Sequence, residues 1–600
     1  MSESTEKKKE TRPERPDRPG KPRAAGKPAG RRPGGAGRAA EGGKPRGGFG
    51  KPAGRRPEGN GAAESGKPRG GFGKPAGRRS EGNGAAEGGR PRGGFGKPAG
   101  RRPEGSGAAE GGRPRGGFGK PAGPGRRPGA GHPGGEGRRA PGGKPATQAR
   151  PAEMEGLAAR RAALKVLRQV TEEGAYASLS LDRELTAGGL KGVDRRLAAR
   201  LVYDTLDRMI YLDHMLSQVM AREDTDLRLR NILRLGACQI LIEDRIPESA
   251  ATNTSVQLCT ENGLEGLKGV CNGILRNLIR KKEELTLPDP ETEPGRYFAV
   301  NHSVPEWLGE RLRKDWGEEE AERIAAFRNT DGAITIRRNL LRGDEDSFRA
   351  LLEKKVWGRE PGELPGTWRI TGAMDIARDA DFLAGEFSIQ SESSMMACLA
   401  VGVKRGMQVL DCCAAPGGKS CYLSELMGDT GRVQAWDLHE HRAALIAAQK
   451  KRLGLENIRP IQRDASKPRE DLRETMDAVL LDAPCSGLGV MAEKPDIKLR
   501  VTEESIRELT ELQAKLLDTV CAYVRPGGVL VYSTCSLLKD ENEHQIRSFL
   551  EKHPEYTAES LPETIPEKFR KQENLGLQLM PHRDGVEGFY ICRLRRRADF

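Results

Sequence analysis

The chain has 600 residues, among them 77 Gly and 39 Pro, and a formal net charge of +15. That length and composition exclude one close-packed globule, because single cores stop growing beyond about 250–300 residues. The first 150 residues hold 36 Lys and Arg against 13 Asp and Glu, a charge of +23, whereas the remainder holds 65 against 73, and so −8, which excludes a basic folded body.

The basic stretch repeats. Arg-Gly-Gly-Phe recurs with its phenylalanine at Phe49, Phe72, Phe95 and Phe118, a period of 23 residues. A period of that length suggests a solenoid, but one Phe per repeat among Gly, Pro and charge cannot offset a backbone ordering cost of ~1–2 kcal/mol per residue. Residues 1–150 are expected to be a disordered tail. Two readings stay open: a tethered polycation that prolongs contact with RNA phosphates, or a solubilising extension without a selected partner.

The opening Met1-Ser-Glu-Ser-Thr-Glu is polar, and no later stretch approaches the ~20 apolar residues of a membrane span. The expectation is a cytoplasmic protein with no membrane partner. Eleven cysteines are scattered without paired spacing and eight histidines are dispersed, which argues against a disulfide framework and a zinc site. No metal is expected, and the chain is expected to be monomeric.

From about 155 the pattern becomes helical: Leu157 to Val170 has apolar spacing, with further helical stretches around 194–221 and 226–242. An all-helical domain over 155–285 precedes the proline-rich Leu287-Pro-Asp-Pro-Glu. Periodicity alone fits any bundle. Four ordered segments, Asp194-Arg-Arg-Leu-Ala-Ala-Arg-Leu-Val-Tyr203, Ile232-Leu-Arg-Leu-Gly236, Arg245-Ile-Pro-Glu-Ser-Ala250 and Asn272-Gly-Ile-Leu-Arg-Asn277, resemble the NusB-type RNA-binding fold. Arg195, Arg196 and Arg200 are then either RNA contacts or ordinary solvated charges.

Residues 295–385 read as a small α+β connector that holds RNA substrate or only packs. Asn301 to Trp307 opens a helical stretch, Ala333 to Arg337 reads as a strand, and a helix surrounds Ser347 to Lys355. No catalytic residue is expected there.

Residues 386–596 alternate strand and helix, with apolar strands Met407 to Asp411, Arg432 to Asp437, Ala478 to Asp482 and Val529 to Ser533. Alternation of this kind predicts a doubly wound, mostly parallel, Rossmann-like sheet. Asp411, Asp437 and Asp482 end strands, and Asp464 follows Ile461-Gln-Arg. Carboxylates at strand ends beside the Gly-rich turn Cys413 to Lys419 suit a nucleoside cofactor, whose hydroxyls and amine need acceptors. No spaced three-glycine fingerprint or Walker lysine is present, so S-adenosylmethionine fits better than a dinucleotide or nucleotide triphosphate. Leu480 to Gly487 and Val529 to Ser536 each deliver a cysteine just past a strand, at the edge where ligands bind.

Asp411-Cys-Cys-Ala-Ala-Pro-Gly-Gly-Lys-Ser420, Asp482-Ala-Pro-Cys-Ser-Gly487 and Ser533-Thr-Cys-Ser536 resemble the signatures of the Sun class of RNA cytosine-5 methyltransferases. Phe387 to Ser394 and Asp584 to Tyr590 match that pattern, and with the NusB-like front the chain from 155 to 596 is similar to the bacterial members acting on 16S ribosomal RNA.

The resemblance implies Cys535 as nucleophile and Cys485 as the group that helps resolve the covalent adduct. It implies a cofactor loop of Cys413, Ala414, Ala415, Pro416, Gly417, Gly418 and Lys419, with Asp437 on the ribose, Asp464 on the adenine amine, and Asp482 on the base edge, near the methionine, or both. Cys412 and Cys421 read as packed thiols, Asp411 as either a cap of the turn or a site residue, and His439 and His441 as exposed. Two alternatives remain: a transfer RNA cytosine-5 methyltransferase, or a non-catalytic RNA-binding ribosome-assembly factor.

Overall fold

The computed structural model describes residues 154–599 apart from 223, 330–331, 374–375 and 571–574; the expectation for the tail, residues 1–150, lies outside them. Seven helices come first: α1 (Leu157–Glu173), α2 (Ala177–Ala187), α3 (Gly192–Asp207), α4 (Met209–Ser217), α5 (Leu227–Leu241), α6 (Glu248–Glu261) and α7 (Lys268–Arg280). The helical spacing of α1 buries Leu157, Leu164, Leu167 and Val170 against Leu201, Ile232 and Leu275. Gly174, left-handed at φ 67°, ends α1, and the Asp226 carboxylate accepts from Arg228 N to start α5. In α5 a Cβ on Gly236 would lie 2.9 Å from both Leu275 and Ser255, so only glycine lets α6 and α7 approach this closely.

Arg200 pairs with Glu243 at 2.9 Å and with Asp204 at 3.3 Å, and Arg195 lies 3.7 Å from Asp182. The connector begins with helices Pro294–His302, Glu306–Trp316 and Glu318–Ala326. Asn301 and His302 close the first of these, whereas the sequence reads as one helical stretch opening at Asn301. Ser303 turns left-handed at φ 54° and Pro305 cannot continue a helix, so the chain restarts at Glu306. Strands β1 (Ile334–Arg338), β2 (Gly358–Pro361), β3 (Thr367–Thr371) and β4 (Phe387–Ile389) form an antiparallel sheet in the order β2-β3-β1-β4. Of these only β1 is legible in the sequence, and β4 joins this sheet although the sequence assigns 387–389 to the following domain.

The last domain carries β5 (Gln408–Asp411), β6 (Arg432–Asp437), β7 (Ile458–Gln462), β8 (Met476–Asp482), β9 (Val524–Thr534), β10 (Tyr556–Glu559), β11 (Leu577–Leu579) and β12 (Phe589–Arg596). Their order is β10-β12-β9-β8-β5-β6-β7, with β11 on β12. β5 to β9 are parallel, and β12 runs antiparallel to each of its neighbours β9, β10 and β11. Alternation distributes side chains to two layers. Val409, Ala478, Leu480 and Val531 pack with helices Glu392–Val401 and Gly418–Leu426, while Leu410, Val479, Leu481 and Leu530 pack with Glu503–Val520. The chain leaves β5 towards β6 and β7, then crosses to β8 on the other side. A crevice therefore opens beyond the carboxyl ends of β5 and β8, where ligands bind in such sheets. Among the described residues no helix is long and apolar enough to cross a membrane.

Candidate active site

The crevice is built from segments leaving β5, β6, β7, β8 and β9. Register places Asp411 opposite Leu480 and Ala435, Asp437 opposite Gln462, and Asp482 opposite Ser533, so the strand-end residues line one edge of the sheet. Parallel pairing enforces this, because equal strand polarity delivers every following loop to the same side.

After β5, residues 412–417 turn into the helix Gly418–Leu426. Gly417 has φ 109°, and a Cβ there would sit 3.1 Å from the Ile446 backbone, so the turn requires glycine. Asp411 is fully buried. Ser420 Oγ donates to its Oδ2 at 2.6 Å, its Oδ1 has no hydrogen-bond partner, and burial pushes its pKa up to about 7. Asp411 therefore anchors the start of that helix through Ser420 and keeps an unpaired oxygen.

Asp437 is buried, accepts His439 N at 3.0 Å and lies 3.4 Å from Arg442 Nε. Asp464 accepts Ser466 Oγ at 2.7 Å and Ser466 N at 3.0 Å; those hydrogen bonds hold its carboxyl below the usual range. His439 and His441 are exposed and stack on each other at 5.5 Å. Cys412 and Cys421 are buried, and burial pushes the Cys421 thiol up to about 12.

At the far side, Cys485 Sγ and Cys535 Sγ lie 3.4 Å apart, both half-buried. Loops leaving the neighbouring strands β8 and β9 bring them together. Beside them, Asp482 accepts Ser533 Oγ at 2.8 Å and pairs with Lys419 Nζ at 2.7 Å, joining the β5 loop to the β8 loop. The Lys419 ammonium is held above its ordinary pKa: burial disfavours the charge, and Asp482 more than compensates. The hydrogen bond from Cys485 pulls the Cys535 thiol below its ordinary pKa, against burial and Asp482 and with help from Lys419 and Lys494. The same hydrogen bond, then burial, drives Cys485 well above the usual thiol value. The contact between the two sulfurs thus favours ionisation of Cys535 over that of Cys485.

Two participants, Gln513 and Glu541, escape the sequence reading, and two serines of the quoted motifs gain a partner. Glu541, fully buried, accepts from Ser486 N at 2.8 Å, Ser486 Oγ at 2.6 Å, Ser536 Oγ, and Gln513 Nε2 at 3.1 Å. The serines are visible in sequence beside each cysteine, but Gln513 and Glu541 sit in separate helical segments without local signal. Among the described residues no cluster of three or more His, Cys, Asp or Glu side chains is arranged to hold a metal ion.

Three family profiles match: 16S rRNA methyltransferase RsmB/F over residues 398–595, the NusB family over 157–280, and a ferredoxin-like domain of RsmF/B methyltransferases over 304–376. The chain is 35% identical over 449 residues to a probable ribosomal RNA small subunit methyltransferase B of Bacillus subtilis, covering 74% of this chain and 100% of that one. It is 31% identical to ribosomal RNA small subunit methyltransferase B of Shewanella oneidensis, covering 72% and 98%. The crystal structure of PH0851 superposes with a TM-score of 0.64 at 26% identity, covering 73% of this chain and 98% of that one.

Proposed function

Because this chain belongs to the RsmB/F family of 16S ribosomal RNA methyltransferases, we propose that it methylates carbon 5 of a cytosine in that RNA through a transient bond to Cys535. The observation that carries this reading is the pair of sulfurs 3.4 Å apart on the loops that follow the neighbouring strands β8 and β9.

The methyl donor of this family is S-adenosylmethionine, which supplies an electrophilic methyl group on a sulfonium. The residues present fit it. The glycine turn before Gly418 leaves backbone amides at a helix start, Asp411 keeps a buried acceptor free, and Asp437 and Asp464 offer carboxylates at successive strand ends. Cys413 to Lys419 would hold the methionine and ribose, Asp437 the ribose hydroxyls and Asp464 the adenine amine.

Carbon 5 of cytosine is a weak nucleophile. The Cys535 thiolate adds to carbon 6, and the electron pair displaced from the 5,6 double bond makes carbon 5 able to accept a methyl group. Asp482, fixed by Ser533 and Lys419, accepts hydrogen bonds from the base edge. After transfer, carbon 5 loses its proton to a base, the double bond reforms and the carbon 6 to sulfur bond breaks. Cys485, whose thiol is pushed up by the contact with Cys535 and by burial and which lies 3.4 Å from the leaving sulfur, assists that release. The thiolate needs the face of the ring, so the target cytosine must be unstacked, which favours unpaired RNA.

Cys535→Ala is expected to abolish incorporation of labelled methyl into 16S RNA, and Cys485→Ala to accumulate a protein–RNA adduct stable on denaturing gels. An adduct from Cys535→Ala would exchange the roles. Full activity in a variant with both cysteines changed to serine would end the covalent reading. Transfer RNA in the same assay tests the alternative substrate, and no methylation of any RNA would favour the assembly-factor reading.

A further inference from the structure

The two cysteines sit in matching local motifs. In Cys485-Ser486-Gly487-Leu488, Ser486 Oγ accepts Leu488 N at 3.4 Å, and in Cys535-Ser536-Leu537-Leu538, Ser536 Oγ accepts Leu538 N at 3.1 Å. Each hydroxyl thus caps its own loop through one lone pair and has its proton left to give. Both protons go to the same atom, Glu541 Oε2, and the two hydroxyl oxygens lie 3.0 Å apart. The other carboxylate oxygen takes Ser486 N and Gln513 Nε2, and Gln513 also donates to Pro484 O at 2.8 Å.

Among the described residues no Lys, Arg or His lies within ion-pair distance of Glu541, although its side chain is fully buried. A carboxylate without a cation is expensive to bury and persists here on four donors. Structural economy would place an amide or an apolar residue there. An acceptor-only group is needed when every neighbour must donate, and here the neighbours are the residues that follow the two reactive cysteines.

We infer that Glu541 is a positioning residue of the reaction: its carboxylate pins Ser486 and Ser536 together and so fixes the separation of the Cys485 and Cys535 sulfurs. The inference rests on the proposed covalent mechanism for its catalytic meaning, but not for its geometry. Glu541 fastens the β9 loop that bears Cys535 to the β8 loop that bears Cys485. The same two segments are also joined by the Ser486–Ser536 hydroxyl contact at 3.0 Å and by Ser533 Oγ donating to Asp482 at 2.8 Å, but among the described residues Glu541 alone accepts from the residue that follows each cysteine. The charged and titratable groups facing Cys535 are Cys485, Asp482, Lys419 and Lys494, and Glu541 faces Cys485.

The test uses the full-length protein without RNA. Peptide-resolved carboxamidomethylation of Cys535 by iodoacetamide is followed from pH 6 to 10 in the wild type, Glu541→Gln, Ser536→Ala and Cys485→Ala. Glu541→Gln keeps the shape but turns one acceptor into a donor facing donors. Its profile should move to higher pH, with alkylation at pH 7 at least fivefold slower, in the direction of Cys485→Ala, which removes the donor altogether. Ser536→Ala, which removes one arm, should give an intermediate profile and guards against a Glu541→Gln protein that does not fold. Methyl transfer by folded Glu541→Gln should fall in kcat with KM for the donor unchanged. Lowered thermal stability with the wild-type thiol profile would reduce Glu541 to a packing group and overturn the inference. A shifted profile in a protein whose Cys535→Ala variant still methylates RNA would keep the clamp and discard the covalent mechanism.

Discussion

Removing one member of the buried pair Arg337–Glu425 should separate the connector from the methyltransferase domain. Arg337, on β1, is 1% exposed and reaches Glu425 Oε2 at 2.6 Å on the helix Gly418–Leu426; Glu425 is completely covered. Glu425 Oε2 also accepts Leu340 N at 3.0 Å, Arg337 Nε donates to Gln390 Oε1 at 2.8 Å, and the guanidinium lies 4.5 Å from the Tyr422 ring centre. Arg337→Met leaves a carboxylate with one backbone donor in a dry site. Glu425→Leu leaves a guanidinium held by Gln390 Oε1 and, at 3.4 Å, by Arg338 O, with no counter-charge. Each is expected to destabilise by ~3–5 kcal/mol. With both replaced, no charge is stranded. What remains are two orphaned groups, the Leu340 N–H and Gln390 Oε1, each costing about 1–3 kcal/mol and each already lost in one of the single variants. The double variant should therefore be more stable than either single one. Urea unfolding followed by the fluorescence of Trp368 in the connector and Trp436 in the methyltransferase core reads both sides of the contact, since both indoles are buried. Because the helix bearing Glu425 starts at the cofactor turn, the single variants should also bind S-adenosylmethionine more weakly. Single losses under ~1 kcal/mol, or a double loss equal to the sum of the singles, would refute the reasoning.

Asp411 predicts a pH effect. Its pKa is raised from 3.8 to about 7 in the folded chain, so the native state holds a proton that the unfolded state releases. Its stabilising contribution is complete below pH ~4 and is lost as pH rises through about 7, a swing of up to ~4 kcal/mol. Asp411→Asn should flatten that slope and melt higher than the wild type at pH 8 but not at pH 4; parallel calorimetric pH profiles would contradict this. Deleting residues 1–150 removes 36 Lys and Arg against 13 Asp and Glu. RNA affinity should fall and its dependence on log salt should flatten, by ~0.7 for each single-strand phosphate that the tail neutralises, with donor affinity unchanged. An unchanged slope in filter-binding titrations would leave the stretch as a solubilising extension.

Local pattern is sufficient wherever a chemical requirement is short in sequence. The helical spacing from Leu157, the strands ending at Asp411, Asp437 and Asp482, and the glycine turn before Lys419 can all be read directly, because burial imposes a period of 3.6 or 2 and a left-handed turn demands glycine. The connector is harder. β2 is four residues and wholly exposed, β4 is only three residues long, and β3 holds one aliphatic residue, Ile370, where β1 holds two. The break at Ser303 shows how proline and one left-handed residue override an otherwise helical stretch.

Both cysteine motifs, their position past strand ends and the carboxylates of the cofactor crevice belong to the information in the chain order alone, since parallel α/β connectivity sends every such loop to one edge. Folding in three dimensions decided the rest: that Cys485 and Cys535, 50 residues apart, meet at 3.4 Å, that Lys419 settles on Asp482, and that Glu541 gathers Ser486, Ser536 and Gln513. Such long-range meetings follow from strand order and register, and a buried carboxylate is tolerated only where donors from distant segments converge on it.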